Sequence, residues 1–166
     1  MVSLYVLAVG GSGEGGGRLN RAERKDIRAL ARVLCGFGVS PDRIVSGPSY
    51  IEAEARSLVA EMLPGVPDEA DEGLVPGASI ERLVQALGRH AGRSVLWIAP
   101  DAAACPVVST LISGTADVGI DLGTAALCQV EFASLVPARC ATLVVLMGPH
   151  AFRRSRRHAQ AGGVTA

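Results

Sequence analysis

Three short strand-like runs, Ser3–Val9, Arg43–Ser46 and Ser94–Ala99, constrain this chain more than any other feature. In the first, Leu4, Tyr5, Val6, Leu7, Ala8 and Val9 are apolar without alternation. That is the pattern of a strand covered on both faces, as in a parallel sheet. The segments between the runs carry a helical period instead. Asn20 offers an N-cap with Glu23 three residues on, and Ile27, Leu30, Ala31 and Leu34 follow at helical spacing until Gly36 and Gly38. Ser49 and Glu52 repeat the capping pattern before Ile51, Ala55, Leu58, Val59 and Met62. Ser79 caps a third helix with Ile80, Leu83, Val84 and Leu87 inward. An apolar helix is predicted from about residue 103 to 113, with Pro106 in its first turn, where no backbone donor is needed. Residues 126–132 and 141–147 read as a closing antiparallel pair, and residues 64–77, rich in Pro, Gly and acid, as a loop. The order β-α-β-α-α-β-α-β-β implies a three-layer α/β/α sandwich, its sheet mainly parallel with antiparallel C-terminal strands.

Composition narrows the class of function. The chain has 166 residues, with Lys+Arg 16 against Asp+Glu 16. This length suits one domain, expected over residues 1–149, with a basic terminus over 150–166. Formal neutrality argues against a chain that binds nucleic acid over its whole surface, leaving only local patches. The cations are Arg throughout except Lys25, a bias read as composition rather than recognition chemistry. No apolar run approaches the roughly 18 residues of a membrane helix, and no signal peptide is evident, so a cytoplasmic location is expected. Cys35, Cys105, Cys128 and Cys140 are widely spaced, without the short spacing of a zinc site or a redox dithiol. They read as buried apolar residues in a reducing compartment, and neither metal nor cofactor is expected.

Gly11-Ser12-Gly13-Glu14-Gly15-Gly16 satisfies G-x-G-x-x-G directly after the first strand. A dinucleotide loop needs its glycines at the helix N-terminus, so that backbone amides can reach a pyrophosphate. Here the run ends before the helix begins near Asn20, and Glu14 places a negative charge in it. The second strand ends Ile44-Val45-Ser46-Gly47, without an acid for a ribose, and no Gly-Lys-Ser/Thr follows the glycines. The run reads as a flexible loop.

A resemblance spans roughly Val2 to Pro149. Leu4-Tyr5-Val6-Leu7-Ala8-Val9-Gly10 is similar to the Leu-Tyr-Leu-Val-Arg-His-Gly of the short, SixA-type phosphohistidine phosphatases of the histidine phosphatase superfamily. Gly38-Val39-Ser40-Pro41-Asp42-Arg43-Ile44-Val45-Ser46 resembles their Gly-Val-x-Pro-Asp-x-Ile-x-Thr. The segment from Pro48 falls on their Ser-Pro-x-x-Arg-Ala-x-Gln-Thr, and Leu74-Val75-Pro76-Gly77-Ala78-Ser79 on Leu-x-Pro-Gly-x-Ser. Val95-Leu96-Trp97-Ile98-Ala99-Pro100 falls on Val-Leu-Leu-Val-Gly-His, and Gly123-Thr124-Ala125-Ala126-Leu127-Cys128 on a late Gly-Ala-Leu strand. The resemblance implies a phosphoglycerate mutase-like fold. It also places the family's Arg and nucleophilic His on Ala8 and Val9, its second phosphate-binding Arg on Ile51 and its second His on Pro100. No catalytic residue is therefore assigned.

The remaining residues agree. Phosphoryl transfer depends on positioning and on neutralising phosphoryl oxygens by Arg, Lys, His or metal. From Ser94 to Ala138 there is no Lys, Arg or His, only Asp101, Asp117, Asp121 and Glu131. His90 and His150, at an element end and near the tail, read as surface histidines. Ser12, Glu52, Asp101 and Cys105 fall around the former pocket if the resemblance holds, but none has a histidine as base. Candidate ligand contacts are Gly10, Gly11, Ser12, Gly13 and Asp101. The expectation is a pseudophosphatase that binds a protein partner or a small ligand. Its apolar cleft is either collapsed under the glycine loop or a contact surface, as in a homodimer. The alternative is a phosphohistidine or phosphomonoester phosphatase with weak or altered activity. Arg153, Arg154, Arg156 and Arg157 read as a solvated end, the one stretch suited to a polyanion.

Overall fold

The computed structural model describes residues 1–10, 17–90, 92, 94–148 and 151. Six strands form one sheet: β1 (Val2–Val9), β2 (Arg43–Ser46), β3 (Asp68–Ala70), β4 (Ser94–Pro100), β5 (Ala126–Phe132) and β6 (Ala141–Met147), in the spatial order β3-β2-β4-β1-β5-β6. The first four run parallel, β5 is antiparallel to β1, and β6 is antiparallel to β5. Among the described residues four helices, α1 (Arg21–Gly36), α2 (Tyr50–Met62), α3 (Ile80–Arg89) and α4 (Asp101–Ser113), cover both faces.

The unbroken apolar runs explain the layering. Tyr5, Leu7 and Val9 of β1 pack with Ile27, Leu30 and Leu34 of α1 and with Leu58 and Val59 of α2. Leu4, Val6 and Ala8, on the opposite face, pack with Leu83 and Leu87 of α3 and with Val107, Val108 and Leu111 of α4. Each fully buried Leu or Ile contributes about 2 kcal/mol of transfer free energy, so a central strand that is apolar on both faces is the main anchor of the domain. β6 is different. It is an edge strand with Leu143, Val144 and Leu146 exposed.

The caps lie where the sequence places them. The Asn20 side chain accepts from the Glu23 N–H at 2.9 Å while the Glu23 carboxylate accepts from the Asn20 N–H at 2.7 Å, a complete capping box. The chain leaves α1 through Gly38, whose φ of 68° lies in the left-handed region open to glycine.

Three expectations need correction. Residues 64–77 are not all loop: β3 and a 3-10 turn (Glu72–Leu74) lie inside them. Asp-Glu-Ala has poor strand propensity, and all three residues are exposed. The strand forms because β2 has an open edge, with Ile44, Val45 and Ser46 paired to Asp68, Glu69 and Ala70. Second, α4 starts at Asp101, with Pro100 as its N-cap, rather than near 103. Pro106 therefore sits in the second turn, where its missing N–H removes the donor that would reach the Ala102 carbonyl. Third, of the four free thiols only Cys128 is buried; Cys35 is exposed, and Cys105 and Cys140 are partly covered.

Candidate functional site

In open α/β sheets ligands gather outside the carboxyl ends of the strands. Here β1, β2 and β4 end on the same edge because they run parallel, with Val9 in register with Pro100 and Ser46 with Ile98. The four positions singled out by the resemblance meet at this edge or just inside it. Ala8 and Val9 are 0% and 1% exposed and point into opposite cores. Ile51, in the first turn of α2, packs partly buried beside the Val9 core, and Pro100 caps α4. None has an ionisable side chain.

Among the described residues, the ionisable groups at the strand ends are carboxylates. Gly10, which follows β1, is buried, and a Cβ added to it would lie 2.8 Å from Glu23 Oε1 and 3.0 Å from Thr124 Cγ2 and Oγ1. The capping box of α1 thus carries a carboxylate onto the end of β1. Thr124 is held there because the next residue, Ala125, donates its N–H to the Ala8 carbonyl at 2.9 Å and adopts a φ of 57°, unusual for a residue with a side chain. Gly47, which follows β2, is enclosed in the same way by the Leu74 carbonyl and the Glu52 carboxylate. At the end of β4, Asp101 occupies the first turn of α4, where its Oδ1 accepts the Ala102 N–H at 2.7 Å.

Glu52 is the most constrained of the three. It is 0% exposed, accepts from the Gly47 N–H at 3.0 Å and pairs with the Ser49 hydroxyl. Burial pushes its carboxyl above the usual range, and its bonds to Ser49 and Gly47 and the charge of Arg56 offset this only in part. Arg56 is itself committed: it donates to Ser46 Oγ at 2.7 Å and to Asp68 Oδ2 at 3.1 Å. Glu52 therefore does more than cap a helix, and no capping pattern indicates its full burial.

The other candidates are dispersed or chemically inert. Burial raises the Cys105 thiol, the Leu122 backbone bond lowers it, and nearby Asp101 and Asp121 raise it further. The Cys128 thiol is pushed up to about 12 by burial, with a contribution from Cys105. Neither resembles an activated nucleophile. His90 does not have the surface setting expected for it. Its side chain is 9% exposed, with Nε2 2.6 Å from Asp71 Oδ2 and Nδ1 3.3 Å from Glu69 Oε1. Burial opposes ionisation of Asp71, but the Gly73 N–H, His90 and Arg89 together hold its carboxyl below the usual range. This cluster ties the end of α3 to the β3 edge. Gly11, Ser12, Gly13, His150 and the arginines at 153, 154, 156 and 157 lie outside the described residues. Among the described residues no group of three or more His, Cys, Asp or Glu could hold a metal ion, and no helix is long and apolar enough to cross a membrane.

Against known proteins, no family model and no curated sequence matches the chain. The fold, however, recurs in solved structures. The protein histidine phosphatase SixA, complexed with tungstate, superposes with a TM-score of 0.74 at 19% identity, over 90% of this chain and 99% of that one. A mycobacterial glucosyl-3-phosphoglycerate phosphatase, complexed with VO3, gives 0.67 at 16% identity, over 89% and 100%. A phosphoserine phosphatase variant from Entamoeba histolytica, complexed with phosphoserine, gives 0.66 at 12% identity, over 90% and 98%. The mixed six-stranded sheet with four helices is thus the phosphoglycerate mutase-like fold of the histidine phosphatases.

Proposed function

We propose that this chain is a non-catalytic protein on the histidine phosphatase fold, acting by binding rather than by phosphoryl transfer. The observation that carries this reading is that β1, β2 and β4 each end against a carboxylate, Glu23, Glu52 and Asp101, while Ala8, Val9, Ile51 and Pro100 occupy the same edge or lie just inside it. A transferring phosphoryl group carries charge on three equatorial oxygens, which catalysis stabilises with cations and oriented donors. The Glu23 and Asp101 carboxylates repel those oxygens, and the side chains of Ala8, Val9, Ile51 and Pro100 offer them no hydrogen bond. Arg56, the cation coupled to Glu52, is held by Ser46 and Asp68. Cys105, with its raised thiol, supplies no alternative nucleophile.

The test is phosphate release from phosphohistidine and from an aryl phosphate by the purified full-length chain. Release at the rate of a buffer control is expected. Turnover that persists through repurification and is abolished by Asp101→Ala would establish a working phosphatase and overturn the reading.

A further inference from the structure

The outer face of α1 is built differently from the strand ends. Arg21, Arg24, Lys25, Arg28 and Arg32 line one surface groove of about 370 Å³. Their spacing puts all five on a single stripe, away from the buried Ile27, Leu30, Ala31 and Leu34. Arg24 is paired with Glu54 at 2.6 Å; among the described residues, Arg21, Lys25, Arg28 and Arg32 form no ion pair. Residues three and four apart on a helix are neighbours, so these cations repel one another and folding gains nothing from aligning them. The neutral total of the chain conceals this concentration of charge.

We infer that this stripe is a docking surface for the phosphodiester backbone of nucleic acid. The stripe runs over eleven residue steps, about 16 Å of helix, and a DNA strand carries one phosphate per 3.4 Å of axis, so about five phosphates span it, facing four unpaired cations and Arg24, which Glu54 already holds. Four of the five are arginines, whose planar forks pair with phosphate oxygens two at a time. A lipid surface is a poorer match. Interfacial helices insert an apolar face, and the apolar face of α1 is already buried against the sheet. The inferred contacts are to phosphates alone, so the binding is sequence-independent. The inference does not depend on the strand ends lacking activity.

The experiment is fluorescence anisotropy of the full-length chain with a labelled 20-base-pair duplex at about 50 and 200 mM salt. Four contacts, with Arg24 left to Glu54, give an affinity loss of about 150-fold across that range, and undetectable binding at the lower salt overturns the inference. R21Q/K25Q/R28Q/R32Q keeps good helix formers on an exposed face and is checked by circular dichroism. It is expected to lose most of the salt dependence, whereas R153Q/R154Q/R156Q/R157Q keeps it; the reverse pattern assigns binding to the C-terminus and overturns the inference. The single-residue Arg28→Lys is expected to retain binding within a few-fold, which separates charge from fold. Tighter binding to phosphatidylserine vesicles or to polyglutamate than to the duplex also overturns it.

Discussion

At the carboxyl ends of β1, β2 and β4 the ionisable side chains that close the fold are Glu23, Glu52 and Asp101; on the outer face of α1 they are Arg21, Arg24, Lys25, Arg28 and Arg32. The two regions differ in more than sign. The strand-end acids are bonded and packed: Glu52 is fully buried, and Glu23 completes a capping box while lying over Gly10. Of the α1 cations Arg21, Lys25 and Arg32 are exposed and Arg24 and Arg28 half-exposed, and only Arg24 has a described carboxylate partner. A side chain bonded and packed within the fold is part of its structure, whereas a cation without such partners is available to something outside it. Substitutions should therefore act on stability in the first region and leave it nearly unchanged in the second.

The largest expected effect is at Gly47. A Cβ there meets the Leu74 carbonyl, a backbone atom that cannot swing away, and both Glu52 oxygens, so Gly47→Ala should destabilise by about 3 kcal/mol in denaturant unfolding. An effect within error would mean that the end of β2 is open. Glu52 gives the next test through pH. Its carboxyl is raised above the ordinary 4.5, so the folded state holds that proton more tightly than the unfolded chain, and stability falls as pH rises from the ordinary range through the elevated one. Glu52→Gln keeps the shape and an acceptor for the Gly47 N–H but does not titrate. Its melting temperature relative to the native chain should therefore climb with pH across that window; a constant offset would show that the native carboxyl is not raised. At Gly10 the obstructing atoms are side-chain ends of Glu23 and Thr124, which can shift, so Gly10→Ala should cost only about 1 kcal/mol. The smallest effect belongs to α1. Arg28→Gln removes repulsion from Arg24, Lys25 and Arg32 and should be neutral or stabilising by about 0.3 kcal/mol. A loss above 1 kcal/mol would place Arg28 among the packed residues and break the comparison.

The central strands and the capped helices were legible because their signals are local: unbroken apolar runs, Asn20 with Glu23, and Ser49 and Ser79 ahead of helical stripes. β3 was not, because three exposed residues with acidic composition become a strand only beside the open edge of β2. The burial of Glu52 and the position of Glu23 over Gly10 were hidden for the same reason: capping patterns describe a helix end, not what the end packs against. The α1 stripe was present in the spacing of residues 21, 24, 25, 28 and 32. Reading arginine abundance as composition, and charge as a sum, concealed it.

The central claim is that the carboxyl edge of this sheet does not hold a phosphoryl group. Isothermal titration of the full-length chain with orthovanadate, an analogue of the transferring phosphoryl group, tests it most directly. The R21Q/K25Q/R28Q/R32Q variant run alongside removes the α1 stripe as an anion sink. No saturable binding to either protein up to about 1 mM is expected, a limit that corresponds to about 4 kcal/mol of binding free energy. Stoichiometric binding in the micromolar range, retained in that variant and strengthened by Asp101→Asn, would contradict the account and place an anion site at the strand ends.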